Sequence, residues 1–286
     1  MAPDPAGPAR ALTIAGSDSG GGAGIAADLK TFAAFGVYGM AAVTAVTAQD
    51  TLAVHEVSLV DPGLVARQIR VVRDDLGVDA CKIGMLGSAA TARAVADVLR
   101  SGCLGPVVLD PVLAGTHGQQ LLSRDGLEVL RHALLPQITV VTPNLPEAAA
   151  LLGWDLGALA TPAARRNAVA ALHRLGVRHV VLKGGHLPDT GAGADAPATD
   201  LWYDGRAYRE LSARRLQTRH THGTGCTFAA ALAAGLARGQ EVESALGAAK
   251  RYVSWAIAHA PGLGRGAGPL GYGRPGAPDA GWEESE

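Results

Sequence analysis

The sequence predicts an α/β protein in which helices cover both faces of a mostly parallel sheet. Short apolar segments alternate with helical segments between residues 11 and 182, the order that β–α–β connections produce. Segment 40–48 is small and β-branched throughout, as expected of a strand buried on both faces. Charged residues make up only 18% of the chain and glycines number 38, a composition that suits a tightly packed core.

The predicted elements follow from local sequence signals. Ile25, Leu29 and Phe32 recur at helical spacing, and Asp61-Pro62 is a typical opening for the next helix. The predicted strands are 11–15, 40–48, 79–83, 106–109, 138–142 and 179–182. The predicted helices of this region are 25–35, 62–75, 91–100, 123–134, 146–152 and 162–175.

The last third of the chain adds a loop, a hairpin and two helices. Gly, Ala, Pro and Asp crowd residues 188–199, which predicts an exposed loop. Segments 201–203 and 207–211, joined through Asp204-Gly205, predict a hairpin that extends the sheet edge in antiparallel fashion. Helices are expected over 224–237 and 242–259.

One domain is predicted over residues 10–260. Residues 1–9 are rich in proline and alanine, which predicts a disordered leader. Residues 261–286 are dense in glycine and proline, which predicts a loose tail. Candidate site residues come from positions 16 to 226, so the whole domain is expected to build a single site.

Charge and cysteine content narrow the class of protein. The net charge of −1 gives no reason to expect a nucleic-acid or membrane partner. No apolar run of about 18 residues is present, the length that a membrane-spanning helix needs. Cys81, Cys103 and Cys226 cannot all pair and show no metal-binding spacing. We therefore expect a soluble cytoplasmic protein.

The segment from His222 to Thr227 predicts an anion-binding helix start. It reads His-Gly-Thr-Gly-Cys-Thr and runs into an alanine-rich helix former. Thr224 is the expected cap, the glycines permit close approach of a ligand, and the first-turn N–H groups attract anions. At such a position the pKa of the Cys226 thiol is expected to be lowered. Phosphoryl transfer and a plain capped helix with a small buried thiol both remain open from this segment.

Polar or flexible residues also follow each predicted strand. Because the carboxyl ends of parallel strands meet at one sheet edge, we expect these residues to converge on a ligand crevice. They are Gly16, Gln49, Gly84, Met85, Asp110, Asn144, Lys183 and Gly184.

Four side chains near this crevice have two interpretations each. Asn144 and Glu147 have the spacing of a helix capping box, and the same pair could hold magnesium through its waters. Asp28 follows a glycine-rich loop and could bind an amine-bearing ligand or simply be solvated. For His222 a structural hydrogen-bonding role is favoured over catalysis.

Two common nucleotide motifs are disfavoured. No Gly-Lys-Ser or Gly-Lys-Thr occurs in the chain, which excludes a P-loop. Residues 22–27 fit the loose dinucleotide pattern, but they begin too far after the strand, and no acidic residue closes the following strand.

Taken together, seven segments resemble the hydroxymethylpyrimidine/phosphomethylpyrimidine kinases of thiamine biosynthesis. The resemblance runs from about residue 11 to 260, with the motifs in family order. The segments are Ala15 to Ile25 with Ala27-Asp28-Leu29-Lys30, Thr44 to Gln49, Lys82 to Leu86, Val108 to Val112, Thr142 to Ala148, Lys183 to His186 and His222 to Cys226.

The resemblance implies a ribokinase-like fold, a three-layer α/β/α sandwich that is usually dimeric, with ATP and Mg²⁺ at the site. By motif position, the substrate pocket falls on Gly16, Ala23, Asp28, Gln49, Met85 and Val112. The ATP side falls on Asn144, Lys183, Thr224 and Gly225, with Asp110 and Glu147 as the metal side. Catalytic roles fall on Lys183, Gly223, Gly225 and Cys226, the last standing where sugar kinases carry an aspartate.

The chain departs from the family pattern at two places. Ala26 stands where the family usually has glutamine, and 264–270 keeps the glycines of the closing motif without its histidines, so that end is assigned no role. The function implied is ATP-dependent phosphorylation of a hydroxymethylpyrimidine, first to the monophosphate and then to the diphosphate. Pyridoxal or pyridoxine phosphorylation is the alternative, and a non-catalytic pyrimidine-binding module is the alternative from another class.

Overall fold

The computed structural model describes residues 7–115, 118–185 and 197–273. The strands are β1 Arg10–Ala15, β2 Tyr38–Val43, β3 Ala45–Gln49, β4 Val54–Leu59, β5 Ala80–Ile83, β6 Val107–Leu109, β7 Val140–Val141, β8 His179–Leu182, β9 Ala198–Tyr203 and β10 Tyr208–Ala213. The helices are α1 Gly24–Ala34, α2 Pro62–Asp75, α3 Ala89–Ser101, α4 Arg124–Val129, α5 Leu145–Leu152, α6 Pro162–His173, α7 Thr224–Ala237 and α8 Val242–Ala258.

One sheet of 8 strands organises the domain, in the order β10-β9-β8-β7-β6-β5-β1-β2. The strands from β2 to β8 in this sheet pair in parallel, and β9 and β10 add antiparallel at one edge. This pairing confirms the predicted hairpin and the mostly parallel sheet. Among the described residues, no helix combines the length and apolarity needed to cross a membrane.

Two apolar cores lie on opposite faces of this sheet. Successive residues of a strand point to opposite faces, and Ala80 and Cys81 accordingly enter different cores. One core joins the sheet to α2 through α6, and the other joins it to α1, α7 and α8. The result is the three-layer α/β/α sandwich that was expected.

The predicted strand 40–48 is wrong as a single element. It breaks at Thr44, and β3 leaves the main sheet to pair with β4 as a separate two-stranded ribbon. Thr44 is held at the break, since its hydroxyl donates to the carbonyl of Met85 at 2.6 Å. Strand β4 was not predicted, because its sequence Val-His-Glu-Val-Ser-Leu is half polar and lacks the apolar pattern of a buried strand. None of its residues is fully buried in the structure.

Other boundaries also differ from prediction. The expected helix 123–134 is α-helical only to Val129 and continues as a π-helical turn over Leu130–Leu134. The expected loose tail is wrong for residues 266–272, which pack on the domain with Leu270 only 1% exposed. Most of the predicted leader and loop and the end of the tail fall on residues 1–6, 186–196 and 274–286, outside the described residues.

Candidate active site

A pocket of about 520 Å³ lies at the carboxyl ends of the central strands, beside the start of α7. The expected convergence of strand ends is therefore present in the structure. The predicted residues that line the pocket are Gly16, Ala23, Gln49, Met85, Asp110, Val112, Asn144, Glu147, Lys183, Gly223, Thr224, Gly225 and Cys226.

The helix α7 begins with a glycine cap. Gly223 occupies the cap position with φ of +85°, and no side chain caps the helix, so the prediction of Thr224 as the cap is wrong. A side chain on residue 223 would collide with the carbonyl oxygen of Gly22, which is the reason that glycine is needed here. Residues 223 to 226 line the pocket, and the N–H of Thr224 donates to the carbonyl of Thr221 at 3.3 Å. The remaining N–H groups of a helix's first turn can bind an anion.

A lysine and two carboxylates lie opposite this helix start. The Nζ of Lys183 is 2.7 Å from Oδ1 of Asp110 and 3.9 Å from Oε2 of Glu147. Burial lowers the pKa of Lys183, but the two carboxylates outweigh it and raise that pKa to about 12. Burial raises the pKa of Glu147 to about 7, with Asp110 acting in the same sense and Lys183 opposing. Lys183 is therefore charged at neutral pH, while Glu147 is close to its midpoint.

The predicted capping box at α5 is confirmed. The Asn144 side chain accepts from the Glu147 N–H, and the Glu147 carboxylate accepts from the Asn144 N–H, both at 2.8 Å. One oxygen of Glu147 is thus both a cap acceptor and the atom nearest to Lys183. The cap fixes the orientation of this carboxylate through a neutral donor, so the carboxylate keeps its negative charge when it is ionised.

The expectation that Asp28 belongs to the substrate pocket is wrong. Asp28 is fully buried in α1 and does not line the pocket. Its Oδ2 accepts from Thr13 at 2.6 Å and pairs with Nζ of Lys82 at 2.8 Å. Burial lowers the pKa of Lys82, but the charge and hydrogen bond of Asp28, together with other acidic groups nearby, outweigh burial and raise it. The pair lies beneath the pocket floor, to which Lys82 contributes.

Replacing Asp28 by asparagine should therefore destabilise the protein more than it affects substrate binding. Asparagine keeps a partner for Thr13 but leaves the buried Lys82 ammonium without a counter-charge, which costs about 3 kcal/mol. The free energy of unfolding in urea measures this loss. The double variant Asp28→Leu/Lys82→Met, which removes both charges, should recover most of the stability. A raised KM for the phosphate acceptor with unchanged stability would contradict this placement.

Sequence reasoning missed a hydrogen-bonded group at the other end of the pocket. Oδ2 of Asp18 accepts from the N–H of Gly22 and of Ala23, and lies 2.9 Å from Nε2 of His222. Burial raises the pKa of Asp18, but His222 and the backbone donors outweigh it and lower that pKa. The hydrogen-bonding role predicted for His222 is confirmed. The signal for Asp18 was its place in a glycine-rich loop directly after β1, where aspartate commonly accepts backbone N–H groups.

This group reaches a predicted pocket residue. The side-chain Nε2 of Gln49 is 3.3 Å from Nε2 of His222. Asp18, His222 and Gln49 therefore lie together where the glycine-rich loop, the start of α7 and the end of β3 meet around the pocket.

The environment of Cys226 differs from the expectation. The residue is half-buried at the first turn of α7. Burial raises the pKa of the thiol to about 11, although Lys82 lowers it in part. The expected lowering of this pKa is wrong, because loss of water around the thiolate outweighs the helix start and the nearby ammonium.

A three-layer α/β/α domain with an anion-binding helix start, a lysine–carboxylate group and a substrate-sized pocket defines a small-molecule kinase. The family model described as phosphomethylpyrimidine kinase matches residues 18–271. The chain belongs to this family, and its fold is that of the ribokinase-like kinases.

Individual relatives and solved structures agree with this assignment. A hydroxymethylpyrimidine/phosphomethylpyrimidine kinase of Streptomyces coelicolor is 48% identical, with 94% of this chain and 96% of the relative covered. The structure of an ADP complex of Bacillus subtilis pyridoxal kinase is 39% identical with a TM-score of 0.83, covering 93% of this chain and 98% of that one. A phosphomethylpyrimidine kinase structure from Clostridium difficile 630 is 34% identical with a TM-score of 0.75, covering 87% and 99%.

Proposed function

We propose that this kinase phosphorylates 4-amino-5-hydroxymethyl-2-methylpyrimidine with ATP, first to the monophosphate and then to the diphosphate used to build thiamine. The observation that carries the proposal is one continuous pocket. It joins Gln49, Met85 and Val112 at one end to Lys183 and the start of α7 at the other. A ring bound at the first end would direct its hydroxymethyl group toward the anion site.

In the first step the alcohol oxygen attacks the γ-phosphorus of ATP, and the bond from that phosphorus to the bridging oxygen of ADP breaks. The Lys183 ammonium and the N–H groups of Gly225 and Cys226 at the start of α7 neutralise charge on the transferring group, the main work of the protein in such reactions. The thiolate form of Cys226 is the proposed acceptor for the alcohol proton, because the residue lies in the same first turn. Burial raises the pKa of the thiol to about 11, so this form is the minor one at neutral pH and grows as pH rises.

In the second step a phosphate oxygen of the bound monophosphate attacks a second ATP. The nucleophile carries its own negative charge, since the second pKa of a phosphate monoester is near ~6. This step therefore needs charge neutralisation by Lys183 and the helix start rather than a base.

The residues present fit a magnesium ion. Asp110 and Glu147 face one ammonium, so the group has an excess of carboxylate oxygens, and Mg²⁺ binds through one or two carboxylates, waters and substrate phosphates. In the described part of the chain, no three His, Cys, Asp or Glu side chains group as an all-protein metal site. When bound, the ion would neutralise charge on the ATP oxygens.

Glu147→Gln tests the metal role separately from the cap. Glutamine also serves in a capping box, so the melting temperature should stay near normal while the concentration of Mg²⁺ for half-maximal activity rises. The Glu147 carboxylate ionises as pH rises through about 7. Wild-type affinity for Mg²⁺ should therefore fall from pH 8 to pH 6, and the variant should lose this dependence. Lower stability with an unchanged Mg²⁺ requirement would assign the residue to the cap alone.

Substrate choice is tested by a coupled ADP-release assay with product masses. Hydroxymethylpyrimidine should give a monophosphate and then a diphosphate. The second candidate is pyridoxal, favoured by the similarity to the Bacillus subtilis pyridoxal kinase structure. Turnover of pyridoxal without turnover of the pyrimidine would replace the proposal.

We also propose that the protein is a homodimer through the β3–β4 ribbon. A two-stranded ribbon is marginal alone, and this one exposes Val46, Leu52 and Leu59 by 43–55%. Val46→Glu should convert a dimer to a monomer in size exclusion with light scattering. The control Val71→Glu changes an equally exposed valine, 55% in each case, on α2. Equal masses for both variants would exclude the ribbon as the dimer interface.

The cytoplasm is the proposed compartment. Cys81, Cys103 and Cys226 are all free, as expected in a reducing environment.

A further inference from the structure

The segment over residues 266–272, the closing segment, contacts both sides of the pocket. The N–H of Gly266 donates to the Thr51 hydroxyl at 3.1 Å, beyond the end of β3. The N–H of His222 donates to the carbonyl of Gly268 at 3.2 Å, and the N–H of Gly271 donates to the carbonyl of Ala256 in α8 at 2.9 Å. The chain thus runs between the glycine-rich loop, the start of α7 and the end of α8.

Tyr272 ends this segment with its hydroxyl between two elements of the site. The hydroxyl donates to the carbonyl of Gly22 at 2.8 Å and lies 3.2 Å from the hydroxyl of Thr227. A tyrosine hydroxyl donates one proton and accepts others, so Thr227 donates to it. Gly22 precedes the pocket residue Ala23, and Thr227 follows Cys226 in the first turn of α7.

The two elements joined by Tyr272 are already in close contact. A side chain on Gly223 would collide with the Gly22 carbonyl and lie 3.2 Å from the Tyr272 hydroxyl. The Lys30 ammonium donates to the neighbouring carbonyl of Gly21 at 2.7 Å and lies 5.1 Å from the centre of the Tyr272 ring. Burial raises the pKa of the Tyr272 hydroxyl, which keeps its proton available for the Gly22 carbonyl.

We propose that Tyr272 is a positioning residue, which sets the distance between the substrate end of the pocket and the phosphate-binding start of α7. It acts through Gly22 and Thr227 and does not line the pocket itself. The inference rests on the proposed function only in that the two ends bind the alcohol and the transferred phosphate. Small errors in the alignment of reacting groups cost large factors in rate, so the hydroxyl should affect turnover more than binding.

Tyr272→Phe removes only the hydroxyl. We expect kcat with the pyrimidine alcohol to fall about tenfold, while KM for ATP stays near the wild-type value because Lys183, Asp110 and Asn144 are unchanged. Tyr208→Phe is the matched control, since its ring lies on the exposed hairpin, 40% exposed, and it should leave kcat unchanged.

Thr227→Val removes the partner hydroxyl and tests the same link. Groups in one hydrogen-bond network are not additive, so the double variant should lose little more than Tyr272→Phe alone. Amide hydrogen exchange adds a readout that is independent of substrate. Peptides over residues 17–24 and 222–228 should exchange faster in Tyr272→Phe, and peptides over α6 should not.

The outcomes separate the two proposals. Unchanged kcat in Tyr272→Phe, additive losses in the double variant, or faster exchange throughout the domain would each overturn the positioning role. Failure of the wild type to phosphorylate the pyrimidine would instead overturn the proposed function. In that case Tyr272 would still be tested by amide hydrogen exchange and by kcat with whichever alcohol the wild type phosphorylates.

Discussion

Lys183→Ala is expected to lower kcat about 10³-fold or more, the range found for removal of a cation that stabilises phosphoryl transfer. Lys183 is the cation placed between Asp110 and Glu147, 2.7 Å from the first carboxylate. Its loss removes positive charge from the transferring group and leaves two carboxylates facing each other. Steady-state kinetics with saturating ATP and the alcohol measures the effect.

Lys183→Arg is the control for this variant. Arginine keeps the charge but changes its shape and reach, so we expect an intermediate loss. The alanine variant should also raise the pKa of Glu147, because the opposing Lys183 charge is gone. A loss below tenfold in Lys183→Ala would mean that Lys183 only neutralises the two carboxylates and does not stabilise the transferring group.

Cys226→Ala is expected to depress the two phosphorylations unequally. A positioned base is worth roughly 10²–10⁴-fold for an alcohol nucleophile, and the monophosphate needs no base. We therefore expect a loss of about 10²-fold or more with the alcohol and a small loss with the monophosphate. The two reactions are measured separately with purified alcohol and purified monophosphate. Equal losses would make Cys226 a packing residue.

The raised pKa of Cys226 adds a pH signature. A thiol with a pKa of about 11 is mostly protonated at neutral pH, so the thiolate fraction grows as pH rises. With the alcohol, wild-type kcat should increase between pH 7 and pH 10, and Cys226→Ala should lack this increase. With the monophosphate, kcat should stay flat above pH 7, since that nucleophile is already ionised.

The sequence predicted the sheet and the neighbourhood of the site well. Parallel strands place their carboxyl ends at one edge, so locating the strands was sufficient to bring Gly16, Asp110, Asn144 and Lys183 to one pocket. The Asn144–Glu147 capping box was also predictable, because its hydrogen bonds span three residues.

Contacts between distant segments were beyond sequence reasoning. The break at Thr44 depends on the Met85 carbonyl, and the apolar run 40–48 carries no turn residue to mark it. The ion-pair partner of the buried Asp28 is Lys82, which lies 54 positions further along the chain. Tyr272 reaches Gly22 across 250 positions, although its segment reads as a loose tail.

What the sequence determined by itself is the alternation of strands and helices outside the β3–β4 ribbon, the family and the residue types available for phosphoryl transfer. These follow from short-range periodicity and from motifs that are contiguous in the chain. Only the tertiary structure decided that Asp28 lies beneath the pocket, that the Cys226 thiol holds its proton, and that the closing segment joins both sides of the site. The reason is physical: burial and charge pairing depend on every neighbour in space, and those neighbours come from segments whose separation in sequence carries no local signal.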